Sequence, residues 1–233
     1  MTVGEPGGRA IPRIVATLVA ALVLVGCVSA PPDQTEGTGQ STTSAAGTGG
    51  SLPSVTASRL ALATLSIDDS PAPQGTYRRD DWPTWEDTDG DGCDARNEAL
   101  TAQAITPAVT GPGCKVVSGS WRSPYDGIET DKASDFDIDH LVPLENAFQS
   151  GGWQWDATRR RLFANDQAEL VVVSAHSNRS KGSKSPADWR PPLESYWCTY
   201  AAKWVAIKAQ WKLTATTGER DALGQMLDRC PAA

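Results

Sequence analysis

The run from Asp135 to Leu144, Asp-Phe-Asp-Ile-Asp-His-Leu-Val-Pro-Leu, constrains the fold more than any other stretch of this chain. Phe136 and Ile138 alternate with Asp137 and Asp139, so the spacing predicts a short strand with both carboxylates on one face. Pro143 ends the strand and opens a helix over Leu144–Gln149, closed by Ser150-Gly151-Gly152. A basic helix, Ala157–Ala164, carries Arg159, Arg160 and Arg161. The strongest strand signal follows at Glu169–Ala175, built on Val171, Val172 and Val173, with Asn178 at its exit. Strands this short, interleaved with short helices, argue for an α+β domain.

The flanks extend the pattern. Ser58 is positioned to cap a short helix carrying Leu60, Leu62 and Leu65. Lys115–Trp121 reads as a strand. In the tail, Ser185 caps a single turn at Pro186–Trp189. Glu194–Lys212 carries Trp197, Tyr200, Trp204, Val205, Lys208 and Trp211 at helical spacing. Thr216 and Glu219 have capping-box spacing and open a last helix through Leu227. The expected ending is therefore a C-terminal helical pair.

Residues 1–27 look like an export signal. Arg9 and Arg13 precede an apolar run from Ile14 to Val25 that is too short to span a bilayer comfortably. Leu-Val-Gly-Cys27 is similar to a bacterial lipobox, in which lipid is attached to the cysteine thiol. An ordinary secretory signal with an incidental Cys27 is the alternative. Residues 28–57, rich in Ser, Thr, Gly and Pro, hold too little apolar surface to offset the entropy of ordering and read as a flexible tether. The folded domain is expected over 58–233. Four of the five cysteines lie in it: Cys93, Cys114, Cys198 and Cys230. In an exported chain an even set reads as two disulfides. Three pairings are possible, and nearness in sequence favours Cys93–Cys114 with Cys198–Cys230. No Cys-x-x-Cys pair supports zinc.

The 233-residue chain has a formal net charge of −7, which excludes a surface coated in DNA-binding charge but not a local basic groove. Basic residues do outnumber acidic ones between Trp153 and Arg190. The acidic excess concentrates at Asp87-Thr-Asp89-Gly-Asp91-Gly-Cys-Asp-Ala-Arg-Asn-Glu98, where Asp87, Asp89, Asp91 and Glu98 have EF-hand loop spacing. Against calcium, Asp94 stands where an apolar residue is usual, and Pro83 leaves no helix ahead of the loop. A solvated acidic turn before a helix over Ala95–Thr101 is the competing reading.

Phosphodiester hydrolysis needs a base near neutral pH, a divalent cation on oxygen ligands, and cations for the phosphate. The chain has two histidines, His140 and His176. Asp139 beside His140 supplies a carboxylate and a base. Asn178 offers an amide oxygen, and Arg179, Lys181 and Lys184 offer phosphate contacts. Adjacent side chains of a strand point to opposite faces, so a bend is expected at its end before both reach one phosphate.

Asp-Ile-Asp-His-Leu-Val-Pro-Leu (137–144), Phe-Ala-Asn-Asp (163–166), Glu-Leu-Val-Val-Val-Ser (169–174) and Ser-Asn-Arg-Ser-Lys-Gly (177–182) together resemble an HNH endonuclease of the exported bacterial variety, related to the GmrSD-type C-terminal nuclease domain. Gly-Cys-Asp-Ala-Arg-Asn-Glu (92–98), Ser-Gly-Ser-Trp (118–121) and Lys-Ser-Pro-Ala-Asp-Trp-Arg-Pro-Pro (184–192) extend the resemblance over about 58–233. It implies a ββα-metal core over about 135–190, with surrounding short helices. It also implies one divalent ion, magnesium before manganese or calcium, on Asp139 and Asn178, with His140 as general base. Asn165 would orient the loop or His140. Lys181 would serve catalysis and hold phosphate with Arg179 and Lys184. Asp137, Glu145 and His176 are candidates for support around the metal, His176 because many HNH enzymes carry a histidine where this chain has Asn178. The expected substrate is nucleic acid, with DNA first and little sequence specificity, acted on outside the cytoplasmic membrane by a monomer without a protein partner. The competing function is a non-catalytic lipoprotein that binds calcium or an envelope partner through residues 87–98.

Overall fold

A computed structural model describes residues 53–70 and 76–231. The expected signal at 1–27, with Cys27, and nearly all of the expected tether lie outside them. The described residues belong to one compact unit, Gly49–Ala233. Helix α1 (Val55–Thr64) is followed by α2 (Ala95–Ala102) and the strands β1 (Thr106–Thr110), β2 (Val116–Arg122), β3 (Glu129–Thr130) and β4 (Phe136–His140). After these come α3 (Leu144–Gln149), α4 (Ala157–Ala164), β5 (Leu170–Ser174), α5 (Ala175–Lys181), α6 (Trp197–Trp211) and α7 (Thr217–Leu227). The architecture is mixed α+β, with one three-stranded and one two-stranded sheet.

The two-stranded sheet positions the site. β4 and β5 are antiparallel, pairing Phe136 with Ser174 through His140 with Leu170. β5 is buried along its whole length because a core covers each face. Val171 and Val173 enter the larger core with Phe163, Tyr200, Trp204, Leu223 and Met226. Leu170 and Val172 enter the smaller one with Ala99, Leu100, Trp121, Phe136 and Ile138. Asp137 and Asp139 sit opposite Val173 and Val171 and share their face. β4 pairs on one side only. α5 begins directly at the end of β5, its first turn capped by the Ser174 hydroxyl accepting from Ser177 N at 3.2 Å.

Both disulfides have the pairing favoured from sequence, Cys93–Cys114 and Cys198–Cys230. The second joins α6 to the end of α7, completing the expected C-terminal pair. Several local expectations change. Ser54, not Ser58, caps α1, and Ser58 is buried inside it. Asn178, expected at the exit of the second strand, lies inside helix α5. Thr216 does cap α7, accepting from Glu219 N at 3.1 Å. The Glu219 side chain does not reach back; it accepts from Trp204 Nε1 and Lys208 Nζ, each at 2.6 Å, because that buried ammonium needs a counter-charge.

Candidate active site

A cleft of about 280 Å³ is bordered by Asp139 and His140 from the end of β4, Glu145 from α3, Asn178 from α5, and Tyr77 and Arg79 from the irregular segment after α1. Strand pleating sends Asp139 and His140 to opposite faces, yet both border this cleft at the end of the strand.

His140 is buried. Its Nε2 lies 2.9 Å from the carbonyl oxygen of Ala164, at the end of α4. A carbonyl only accepts, so Nε2 carries the proton and Nδ1 of the neutral ring keeps its lone pair. Burial, with smaller contributions from the Arg79 and Lys181 charges and partly offset by the bond to Ala164, pulls the imidazole down to about 3. The ring stacks on Trp85 at 5.9 Å between centroids.

Asn165 arranges both neighbours of that ring. Its Nδ2 donates to Pro83 O at 2.9 Å and Arg161 O at 2.8 Å, and its Oδ1 accepts from Glu86 N at 2.9 Å. It thereby pins residues 83–86 to the end of α4, next to Ala164. Trp85, in between, is held at a φ of 62°, a left-handed backbone that a bulky residue adopts only when its surroundings impose it.

Asp139 is fully engaged. Oδ1 accepts from Lys181 Nζ at 2.8 Å, and Oδ2 accepts from the Tyr125 hydroxyl at 2.5 Å. Burial raises its carboxyl by more than the adjacent ammonium lowers it. Lys181 also donates to His140 O at 2.8 Å and has no exposed surface. This corrects the expectation of a phosphate contact at Lys181: the α5 register turns the side chain inward, where it neutralises Asp139 and ties the helix to the strand end. Arg179 and Lys184 are exposed, and Lys184, just past the end of α5, donates from Nζ to Ser180 O of that helix at 2.7 Å.

Asn178 Nδ2 donates to Asp137 Oδ2 at 3.0 Å, which turns its amide oxygen away from that carboxylate. Asp137 thus stands behind Asn178, while His176 is exposed on another side of α5 and does not border the cleft. The donor set of Asp139 and Asn178 fits a small hard cation. Each Asp139 oxygen has a second lone pair, and such ions commonly take one or two protein oxygens and fill the remaining shell with water and phosphate. A second oxygen cluster lies apart from the cleft. Asp87, Asp89 and Asp91 bring carboxylate oxygens within 4.8 Å of one another. Backbone N–H groups of Gly90 and Gly92 lower the Asp87 carboxyl, whereas burial and the three aspartates raise Glu98. Glu98 instead accepts from Gln167 Nε2 at 2.8 Å.

Tyr77, Arg79, Trp85 and Tyr125 escape the sequence reading. A visible signal was the Tyr77-Arg78-Arg79 cluster, basic inside an acidic segment. Arg79 donates to Trp82 O at 2.9 Å and Thr84 Oγ1 at 3.4 Å, so its guanidinium is fixed beside the cleft by its own loop. Among the described residues it has no carboxylate within ion-pair distance. The three arginines of α4 are largely structural: Arg159 lies over Trp155 and Trp211, Arg160 over Trp82, and Arg161 pairs with Glu86 at 3.4 Å.

Residues 94–226 match the family described as GmrSD restriction endonucleases, C-terminal domain. The chain is 40% identical over 181 residues to an uncharacterized secreted protein of the fungus Arthroderma benhamiae, covering 77% of this chain and 87% of that one. No solved structure matches the chain.

Proposed function

The chain belongs to the family of GmrSD restriction endonuclease C-terminal domains, and from that premise we propose that it is a metal-dependent endonuclease of the HNH type. The observation that carries the reading is the convergence of Asp139, His140 and Asn178, from one strand and one helix, on a single cleft that also receives Arg79. The order of β4, β5 and α5 supports reading this site as a ββα unit.

His140 Nδ1 takes the proton of the attacking water; burial keeps the ring neutral with that lone pair free at pH 7, at a cost in basicity. Asp139 and Asn178 would hold one divalent ion, magnesium first, which when bound supplies positive charge to the scissile phosphate and its leaving oxygen. Arg79 faces the phosphate and offsets the charge that builds up as phosphorus becomes five-coordinate. Lys181 and Tyr125 fix the Asp139 carboxylate, and Asn165 fixes the carbonyl and indole on either side of His140. Asp137 holds Asn178, and Glu145 borders the same cleft. Arg179 on α5 and Lys184 just past its end, both exposed, extend phosphate binding beyond the cleft. The two disulfides and the secreted fungal relative support action outside the cell membrane; a lipid on Cys27, in the lipobox-like Leu-Val-Gly-Cys, would anchor the chain there. DNA is the first substrate to test, and no separate recognition module argues for sequence specificity.

The test is plasmid nicking by the purified protein with magnesium. His140→Ala should lower the rate by about 10²–10⁴-fold, the usual worth of a positioned base, and EDTA should stop cleavage. Undiminished nicking by the folded variant would sink the reading. A second reading rests on the clustered oxygens of Asp87, Asp89 and Asp91: calcium binding by a non-catalytic lipoprotein. Calcium binding by calorimetry, with no hydrolysis under any divalent metal, would favour it.

A further inference from the structure

We propose that a second cavity, next to the catalytic cleft, seats an unpaired nucleobase beside the scissile phosphate and selects bases that carry an exocyclic amino group. The inference rests on the nuclease reading and names the substrate class of that site: nucleic acid that is single-stranded, or opened, at the nucleotide next to the cut.

The cavity measures about 340 Å³, within the roughly 300–1,000 Å³ typical of small-ligand pockets. Tyr77 and Glu145 border both it and the catalytic cleft, so the two share a wall. A phosphate in the cleft leaves its neighbouring base within reach of that wall. Tyr77 and Phe148 give the cavity an aromatic side, their rings meeting edge to face with centroids 6.0 Å apart. Asn146 and Gln149, from the same helix as Phe148, add amide donors and acceptors.

Charge decides the class of occupant. No Lys or Arg borders the cavity among the described residues, whereas Asp68, Glu145 and Glu219 do. Glu219 is buried at the floor, its charge matched by Lys208 behind it at 2.6 Å. Such a lining repels a phosphate group. It suits a flat, neutral group that stacks and presents N–H donors. Guanine, cytosine and adenine offer amino hydrogens to carboxylate and amide oxygens, as carboxylates accept from cytosine N4 in groove readout; thymine and uracil have only one ring N–H. A base can enter only when it has left its stack and its partner, which costs least in single strands and mismatches.

The experiment uses single-stranded oligothymidylate carrying one guanosine, cytidine or adenosine residue, with bis(p-nitrophenyl) phosphate, which has no base, as the reference substrate. Cleavage next to the amino-bearing nucleotide should exceed that at thymidine steps by about tenfold, comparable to the loss of one or two good hydrogen bonds. The Asn146→Ala/Gln149→Ala double variant should bring the ratio close to one without changing hydrolysis of the baseless diester. Phe148→Leu, which keeps an apolar side chain but removes the ring, should lower cleavage of every oligonucleotide but not of the diester. A ratio near one in the wild-type protein, or a ratio that survives the double variant, overturns the proposal. Absence of hydrolysis of either substrate counts against the nuclease reading. The cavity is then decided by NMR titration with free nucleosides: cytidine and guanosine should shift the resonances of Asn146 and Gln149, and thymidine should not. Equal shifts from all nucleosides, or none, overturn it independently of activity.

Discussion

Replacing His140 by glutamine should remove an acid-sensitive component of stability that can be sized from the structure. The imidazole falls to about 3 in the folded protein and has its ordinary value of about 6.5 when unfolded. A lowered folded pKa contributes stability that is present above pH 6.5 and is lost as pH falls towards 3, because the unfolded chain binds a proton that the folded one does not. At about 1.36 kcal/mol per pH unit, the wild-type protein should lose roughly 3 kcal/mol from this group by pH 4 and at most about 5 kcal/mol in all. Glutamine does not titrate, and its amide can still donate to Ala164 O. The stacking lost on Trp85 lowers the variant's stability equally at every pH. Urea unfolding in EDTA, with both disulfides intact, should therefore give two stability curves that differ in slope between pH 6.5 and 4. Other carboxylates, Asp69 and Asp126 among them, are lowered in both proteins and cancel in the comparison. Parallel curves would refute a buried neutral His140. The catalytic counterpart is an acid limb of activity well below pH 6; an apparent pKa near 6.5 that disappears in the variant would contradict the buried ring.

Two further outcomes test the surroundings of the site. Lys181→Met leaves the buried Asp139 carboxylate unpaired and should cost about 3–5 kcal/mol, or roughly 10 °C in melting temperature, with recovery when Asp139→Asn is added; a loss under 1 kcal/mol by thermal unfolding would mean that the pair is not buried as described. Glu169 is raised well above its ordinary range by burial, so its protonated form stabilises the fold below about pH 4.5 and that contribution fades as pH rises through the folded value. Glu169→Gln keeps an acceptor for Val142 N and should match the wild-type protein at pH 4 and exceed it from pH 6 upwards in urea unfolding, whereas a less stable variant at pH 9 would show that the ionised carboxylate supports the fold.

What could be read from sequence follows a physical division. Regular periodicity and local chemistry were legible: the α3 and α4 boundaries, both strands of the site, and the disulfide pairing coincide with the structure. Features decided by tertiary packing were not. Thr106–Thr110 carries Pro107 and is largely exposed, so neither alternation nor apolar content marks it as the edge strand β1. Lys181 looks like a surface phosphate contact until α5 is docked against β4, when its register points the ammonium at Asp139. Glu219 fits a capping box by spacing, but a buried lysine outcompetes the helix terminus for its carboxylate.

The site is also less local than its motifs suggest. β4, β5 and α5 supply the carboxylate, imidazole and amide, but the indole over His140 and the guanidinium at the cleft come from residues 77–86, which have little regular structure of their own. That segment is ordered by contacts with the rest of the domain: Asn165 binds its backbone at Pro83 and Glu86, Trp82 packs on Phe163 at 5.9 Å, and Arg161 pairs with Glu86. Arg160 and Arg161 of α4 and Asn165 just past its end thus fasten a wall of the cleft to the rest of the domain. The family match begins at residue 94 and leaves Tyr77, Arg79 and Trp85 outside it. The wall of the cleft that carries Tyr77 and Arg79 thus lies outside the family match, whereas Asp139, His140, Glu145 and Asn178 lie within it.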